Sequence, residues 1–178
     1  MEKNVINLVL YQSFFLLSFL LSNNSYCQIK KELDSEQHNI VAKTFEKSKE
    51  ESIWVYYHTI KYESWMNLLW DKDQSSKNGI GFCSFDSPGF HEAFDSLRTL
   101  VVNIQEKTFK REKLEKKFKL VKSLNKKDVL YFSEAIIINN YSFQFVRSNT
   151  SKSVHVQKKD QDGNWNYECG VPIYFVLH

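Results

Sequence analysis

Residues 129–177 constrain the fold most, because alternation and turn chemistry there recur too regularly for anything but a sheet. In Tyr141-Ser142-Phe143-Gln144-Phe145-Val146-Arg147 the rings at 141, 143 and 145 share one face, and Ser142 and Gln144 share the other. Ahead of that run stand Val129-Leu130-Tyr131-Phe132 and Ala135-Ile136-Ile137-Ile138. Asn139-Asn140 between them predicts a tight hairpin, since asparagine tolerates positive φ. Residues 148–151 predict the next turn, Val154 and Val156 a third strand opposed by His155 and Gln157, and residues 159–164 a further hairpin. Residues 165–177 then supply one or two strands. Strands this short, joined by turns this tight, form an antiparallel meander and not crossover units.

Upstream the periodicity is helical. Leu33, Ile40, Val41 and Phe45 lie on one side of a helix predicted over residues 35–49, with Asp34 or Ser35 near its start. Residues 53–60 are β-branched and aromatic, yet no breaker separates them from residues 64–70, so helix is expected through Trp70. Residues 71–81 read as a loop. Ser87-Pro88 is a start signal, and Phe90, Phe94, Leu97 and Val101 follow at helical spacing, so a helix is predicted from Pro88 to about Thr99. Residues 101–104 extend that helix or form a short strand, and residues 107–119 read as a short solvated helix. The expected class is α+β: N-terminal helices (about residues 31–120) packed on one face of a C-terminal antiparallel β-meander (about residues 128–178).

Tyr131-Phe132-Ser133-Glu134-Ala135-Ile136-Ile137, Asn139-Asn140-Tyr141, Lys158-Lys159-Asp160 and Gly163-Asn164-Trp165 together resemble the C-terminal meander of small exported bacterial proteins of unassigned function. In those proteins an aromatic-Phe-Ser-x-Pro-Ile strand enters a hairpin and a later strand ends with Gly-x-Trp. This chain has Ala135 where proline is usual and lacks the Cys-Gly-rich turn that many carry. The resemblance covers about residues 129–170. It implies a fold and carries no catalytic residues.

The N-terminus bounds the compartment. Phe14-Phe15-Leu16-Leu17-Ser18-Phe19-Leu20-Leu21 is uncharged and passes into the polar run Ser22-Asn23-Asn24-Ser25-Tyr26-Cys27. A short apolar core with small residues at its exit is the pattern of a secretory signal, with Ser25 and Cys27 at the −3 and −1 positions. A membrane anchor wants ~20 apolar residues, and Asn7, Gln12 and Ser13 interrupt this stretch. A lipoprotein anchored at Cys27 wants a small residue where Tyr26 stands. The expected organisation is therefore a signal peptide over residues 1–27 and one exported, periplasmic or extracellular domain over residues 28–178. The membrane is touched only through an uncleaved leader.

Losing the leader removes one lysine and one glutamate and leaves the net charge at +3, too little to argue for nucleic acid. Aromatic residues make up 15% of the chain and glycine and proline are scarce, which argues for a folded body. Cys83 and Cys169 remain, and an oxidising compartment permits them to pair or to stay as buried thiols.

Motifs for chemistry are thin. His91-Glu92-Ala93-Phe94-Asp95 approximates the helical His-Glu-x-x-His of zinc proteases but offers no third ligand downstream. Asp160, Asp162, Asn164 and Asn166 alternate like calcium-loop oxygens, yet Gly163 is misplaced and no glutamate closes the loop, so a hairpin explains them better. Cys83 or Cys169 with His38, His58, His91, His155 or His178 would make a thiol nucleophile, without any local signature. No cofactor and no metal are expected. The basic stretch 107–127, above all Lys113, Lys116 and Lys117, and the aromatic segment 54–70 are the candidate partner surfaces. The expectation is a non-enzymatic exported module binding an unknown protein or cell-envelope ligand. The alternatives are a small envelope hydrolase with a dispersed site and an inhibitor or immunity-type partner of an envelope enzyme.

Overall fold

A computed structural model describes residues 32–70, 88–122 and 128–173. The leader, residues 71–87 with Cys83 and Ser87, residues 123–127 and His178 lie outside the described residues. The class is α+β.

Helix α1 is Ser35–Thr44, with Asp34 as its N-cap accepting the Gln37 backbone N–H at 2.8 Å. Ile40 and Val41 carry its apolar stripe, both fully buried. It ends earlier than the periodicity predicts because Phe45 leaves the helical path. Its ring packs edge-on against Phe118 and Phe132 and stacks on His155. Helix α2 is Pro88–Leu100, as the spacing predicts, with Phe90, Ala93 and Leu97 buried, and it passes into a 3-10 turn at Val101–Asn103.

Two helical expectations are overturned. Ile53–Tyr56 is strand β1, paired in parallel with β2 (Phe118–Val121), whereas Ser64–Trp70 is helical as expected, in 3-10 form. Residues 107–119 contribute a bridge at Thr108, a single 3-10 turn at Arg111–Lys113 and the start of β2. The reason is tertiary: a parallel partner some sixty-five residues away satisfies both backbones, a pairing that local propensity cannot report.

The meander follows as β3 (Tyr131–Phe132), β4 (Ile136–Ile138), β5 (Tyr141–Arg147), β6 (Lys152–Lys159) and β7 (Trp165–Pro172). All of its pairings are antiparallel, and β3 and β4 lie end to end along β5. Asn139 takes φ 55° in the predicted hairpin. Between β3 and β4 the register slips by one residue, and Ser133 repairs the break. Its hydroxyl accepts the Phe145 N–H at 3.0 Å while its own N–H donates to the Phe145 carbonyl at 2.8 Å. The β1–β2 ladder joins the meander through Leu130, whose carbonyl accepts the Tyr56 N–H at 2.9 Å and whose N–H donates to Trp54 at 2.8 Å. Isolated bridges at Val55–Leu130 and Ile60–Ser133 thus set the two-stranded β1–β2 ladder beside the five-stranded antiparallel sheet β3–β5–β6–β7, in which β4 also pairs with β5.

Both faces of that sheet are covered, which corrects the expectation of helices on one face. Tyr141, Phe143, Phe145, Val154, Val156, Cys169 and Val171 meet α2 and the 3-10 helix, with Phe90 5.5 Å from Tyr141 and Trp65 5.8 Å from Phe145. On the other face α1 covers Phe132, Val146 and Trp165. Side-chain amides fasten α1 there. Gln37 pairs with the Ala135 backbone like a neighbouring peptide, donating to its carbonyl at 2.8 Å and accepting its N–H at 2.6 Å. Gln157 donates to the Ile40 carbonyl and to Thr44 Oγ1.

Candidate binding surface

Across the α2-bearing face, at the end where β5 turns into β6, side chains from four strands line up. Lys152 on β6 opposes Arg147 on β5, Arg147 opposes Tyr131 on β3, and the Tyr131 ring lies 5.2 Å from Tyr56 on β1. Strand spacing sets these side chains ~5 Å apart, so register alone makes them a row. The Arg147 guanidinium sits 4.8 Å from the Tyr131 ring centre, and its Nη1 donates to both oxygens of Glu63 at 2.8 Å. Glu63 also accepts the Trp65 indole N–H at 2.7 Å, and Lys152 Nζ stands 5.3 Å above the Trp65 ring.

Beyond Tyr56 the row continues through His58 (5.9 Å) to Tyr57 (4.8 Å from His58), with Lys122 Nζ 5.1 Å above the Tyr57 ring. His58 Nδ1 lies 3.3 Å from Thr108 Oγ1 and 3.9 Å from Glu106. The row thus sets cations at both ends of a run of rings, with three permanent cations, Arg147, Lys152 and Lys122, against the carboxylates of Glu63 and Glu106. Burial holds the Lys152 ammonium below its ordinary pKa, opposed by Glu63 and reinforced by Arg147. A cation held on a ring has already lost much of its rotamer freedom; Trp65 and Tyr131 are buried and serve as supports for Lys152 and Arg147, while Tyr56 and Tyr57 are half-buried and keep apolar area to offer. Such a row can grip a partner that presents acidic groups beside an apolar or planar surface.

The expected sites fare differently. Trp65, Tyr56 and Tyr57 of segment 54–70 enter the row, whereas Trp54 packs on the core and Trp70 lies against Phe94. The basic stretch mostly ties its own segment down. Lys113 donates to Ser35 Oγ at 2.9 Å, Lys117 to the Phe45 carbonyl at 3.0 Å, Lys110 pairs with Glu32 and Lys107 with Glu134, while Lys116 is exposed. Cys169 faces the α2 side and is disulfide-bonded, with its partner outside the described residues.

His91, Glu92 and Asp95 lie on the exposed flank of α2, and no trio of metal-ligating side chains converges among the described residues. Asp160 instead organises its hairpin. Its carboxylate accepts from the Asn164 and Asp162 N–H groups and from the Asn166 amide, and these bonds hold its pKa below the ordinary range.

Sequence reasoning missed one contact: His155 Nε2 lies 2.9 Å from Ser153 Oγ. Two residues apart on one strand, they share a face, and that period-two spacing was the available signal. Burial lowers the His155 pKa to about 4, and its Nδ1 has no hydrogen-bond partner. The ring is neutral at neutral pH, and no carboxylate among the described residues orients it as one orients a catalytic histidine.

No family model, curated protein or solved structure matches the chain. No helix among the described residues is long and apolar enough to cross a membrane.

Proposed function

We propose that this chain is an exported, non-enzymatic binding module that engages an acidic envelope ligand or partner protein through the cross-strand row. The observation that carries this reading is the row Trp65–Lys152–Arg147–Tyr131–Tyr56, two adjacent cations flanked by rings, built on sheet register and pinned by Glu63. Export rests on the leader pattern, and an oxidising compartment is one in which a Cys169 disulfide would persist. Cys83 is the proposed partner of Cys169.

The test is binding of the purified mature chain to cell-envelope fractions across a salt series. Lys122→Glu with Lys152→Glu is expected to weaken binding at least tenfold and to flatten its salt dependence, as loss of screened charge contacts requires. Lys113→Glu with Lys116→Glu serves as the off-row control. Wild-type affinity in the row variant, or an equal loss in the control, would refute this placement of the site.

A small hydrolase is the second reading, and the Ser153–His155 contact alone favours it. It requires that Ser153→Ala abolish ester turnover by the folded protein.

A further inference from the structure

On the face covered by α1, four buried polar atoms have no hydrogen-bond partner among the described residues, and they are neighbours. Ser142 Oγ and Gln157 Oε1 belong to one directly opposed cross-strand pair, and Gln144 Oε1 and His155 Nδ1 to the next. Opposed Cβ atoms on adjacent strands lie ~4.5–5.5 Å apart, so each pair carries its side chains on the same face as immediate neighbours.

The opposite end of three of these side chains is already engaged, which fixes what the loose end is. Gln157 Nε2 donates to the Ile40 carbonyl at 2.6 Å and to Thr44 Oγ1 at 2.7 Å, so Oε1 is the remaining acceptor. Gln144 Nε2 donates to the Ser133 carbonyl at 3.1 Å, which settles its orientation likewise. His155 Nε2 meets Ser153 Oγ at 2.9 Å, and this leaves Nδ1 as donor or acceptor according to tautomer. Ser142, Gln144 and Gln157 are at most 1% exposed, so bulk solvent does not reach them. Buried polar groups in folded proteins are satisfied by protein or by ordered water, and an acceptor set mixed with hydroxyl and imidazole suits water's two donors and two acceptors.

We propose that the seam between the sheet and α1 is an internal water site holding at least two long-lived molecules, one bridging Ser142 to Gln157 and one bridging Gln144 to His155. The polar face of the Tyr141-Ser142-Phe143-Gln144-Phe145 alternation is thus turned inward, and α1 rests on it through bound water as well as through the Gln157 amide.

Oxygen-17 magnetic relaxation dispersion on the mature chain reads this directly, because it reports only water held far longer than surface hydration. The wild-type protein is expected to give a dispersion worth two or more internal molecules, and Ser142→Ala to lose one of them together with a lower Tm. The Tm sign is diagnostic: removing a hydroxyl that bonds nothing leaves stability equal or higher, while removing one that holds water lowers it. A wild-type protein without dispersion overturns the proposal before any variant is made. A Ser142→Ala protein with unchanged dispersion and an unchanged or raised Tm overturns the Ser142–Gln157 bridge.

Discussion

Acid should destabilise this protein through His155 by an amount that the structure lets one work out. The ring is stacked against Phe45 at 6.2 Å and tilted against Tyr167 at 5.7 Å, and burial lowers its pKa from 6.5 to about 4. Protons therefore bind the unfolded chain more readily than the folded one between those values, and stability falls as pH drops through that window. Above pH 6.5 both states are neutral at this site and nothing is lost. At pH 5 the loss is about 2 kcal/mol, and below pH 4 it levels off at about 3 kcal/mol, from 1.36 kcal/mol for each tenfold difference in proton affinity. These are upper values, because part of the residue reaches solvent although Nδ1 does not.

The assay is urea unfolding from pH 7.5 to 4 for the wild type and for His155→Gln. His38, whose pKa burial also lowers, is present in both proteins and cancels in the difference. The stability advantage of the wild type over the variant should shrink by about 2 kcal/mol between pH 7 and pH 5. A difference that stays flat across the window would refute the claim that this imidazole is buried neutral.

Other perturbations have clear directions. Gln37→Ala strips both partners from the buried Ala135 backbone groups and should cost about 2–3 kcal/mol in urea unfolding, and Gln37→Glu should also destabilise, because it sets a buried carboxylate oxygen against the Ala135 carbonyl. Trp165→Ala empties a site 1% exposed beneath α1 and should cost about 3–5 kcal/mol, read as a lower urea midpoint at an unchanged slope. Gly170→Ala places a methyl group 2.8 Å from Tyr167 Oη, the free end of a half-exposed ring. That ring should swing aside at a cost of about 1 kcal/mol or less, seen as changed His155 ring shifts by NMR with little change in Tm.

The meander was readable because strand alternation and turn residues are local properties. Tyr141 to Arg147, the Asn139-Asn140 turn and the Asp160 hairpin each announce themselves within a few residues, and α2 does the same through its spacing. Two things were not readable. Ile53–Tyr56 became a strand because Phe118–Val121 pairs with it in parallel, and nothing near either segment encodes the other. Likewise, the alternation at 141–147 fixes that two faces exist but not what covers them. Only the docking of α1 through Gln37, Gln157 and Phe45 buried the polar side.

The candidate binding row has the same origin. Lys152, Arg147, Tyr131 and Tyr56 are scattered over nearly a hundred residues and meet only because cross-strand register sets them side by side. By itself, then, the sequence determined the antiparallel sheet, the α2 helix and the alternation of its strands, since each follows from interactions between near neighbours. Tertiary structure alone decided the parallel ladder, the second covered face and the binding row, because each is a contact between distant segments whose partners the chain does not name locally.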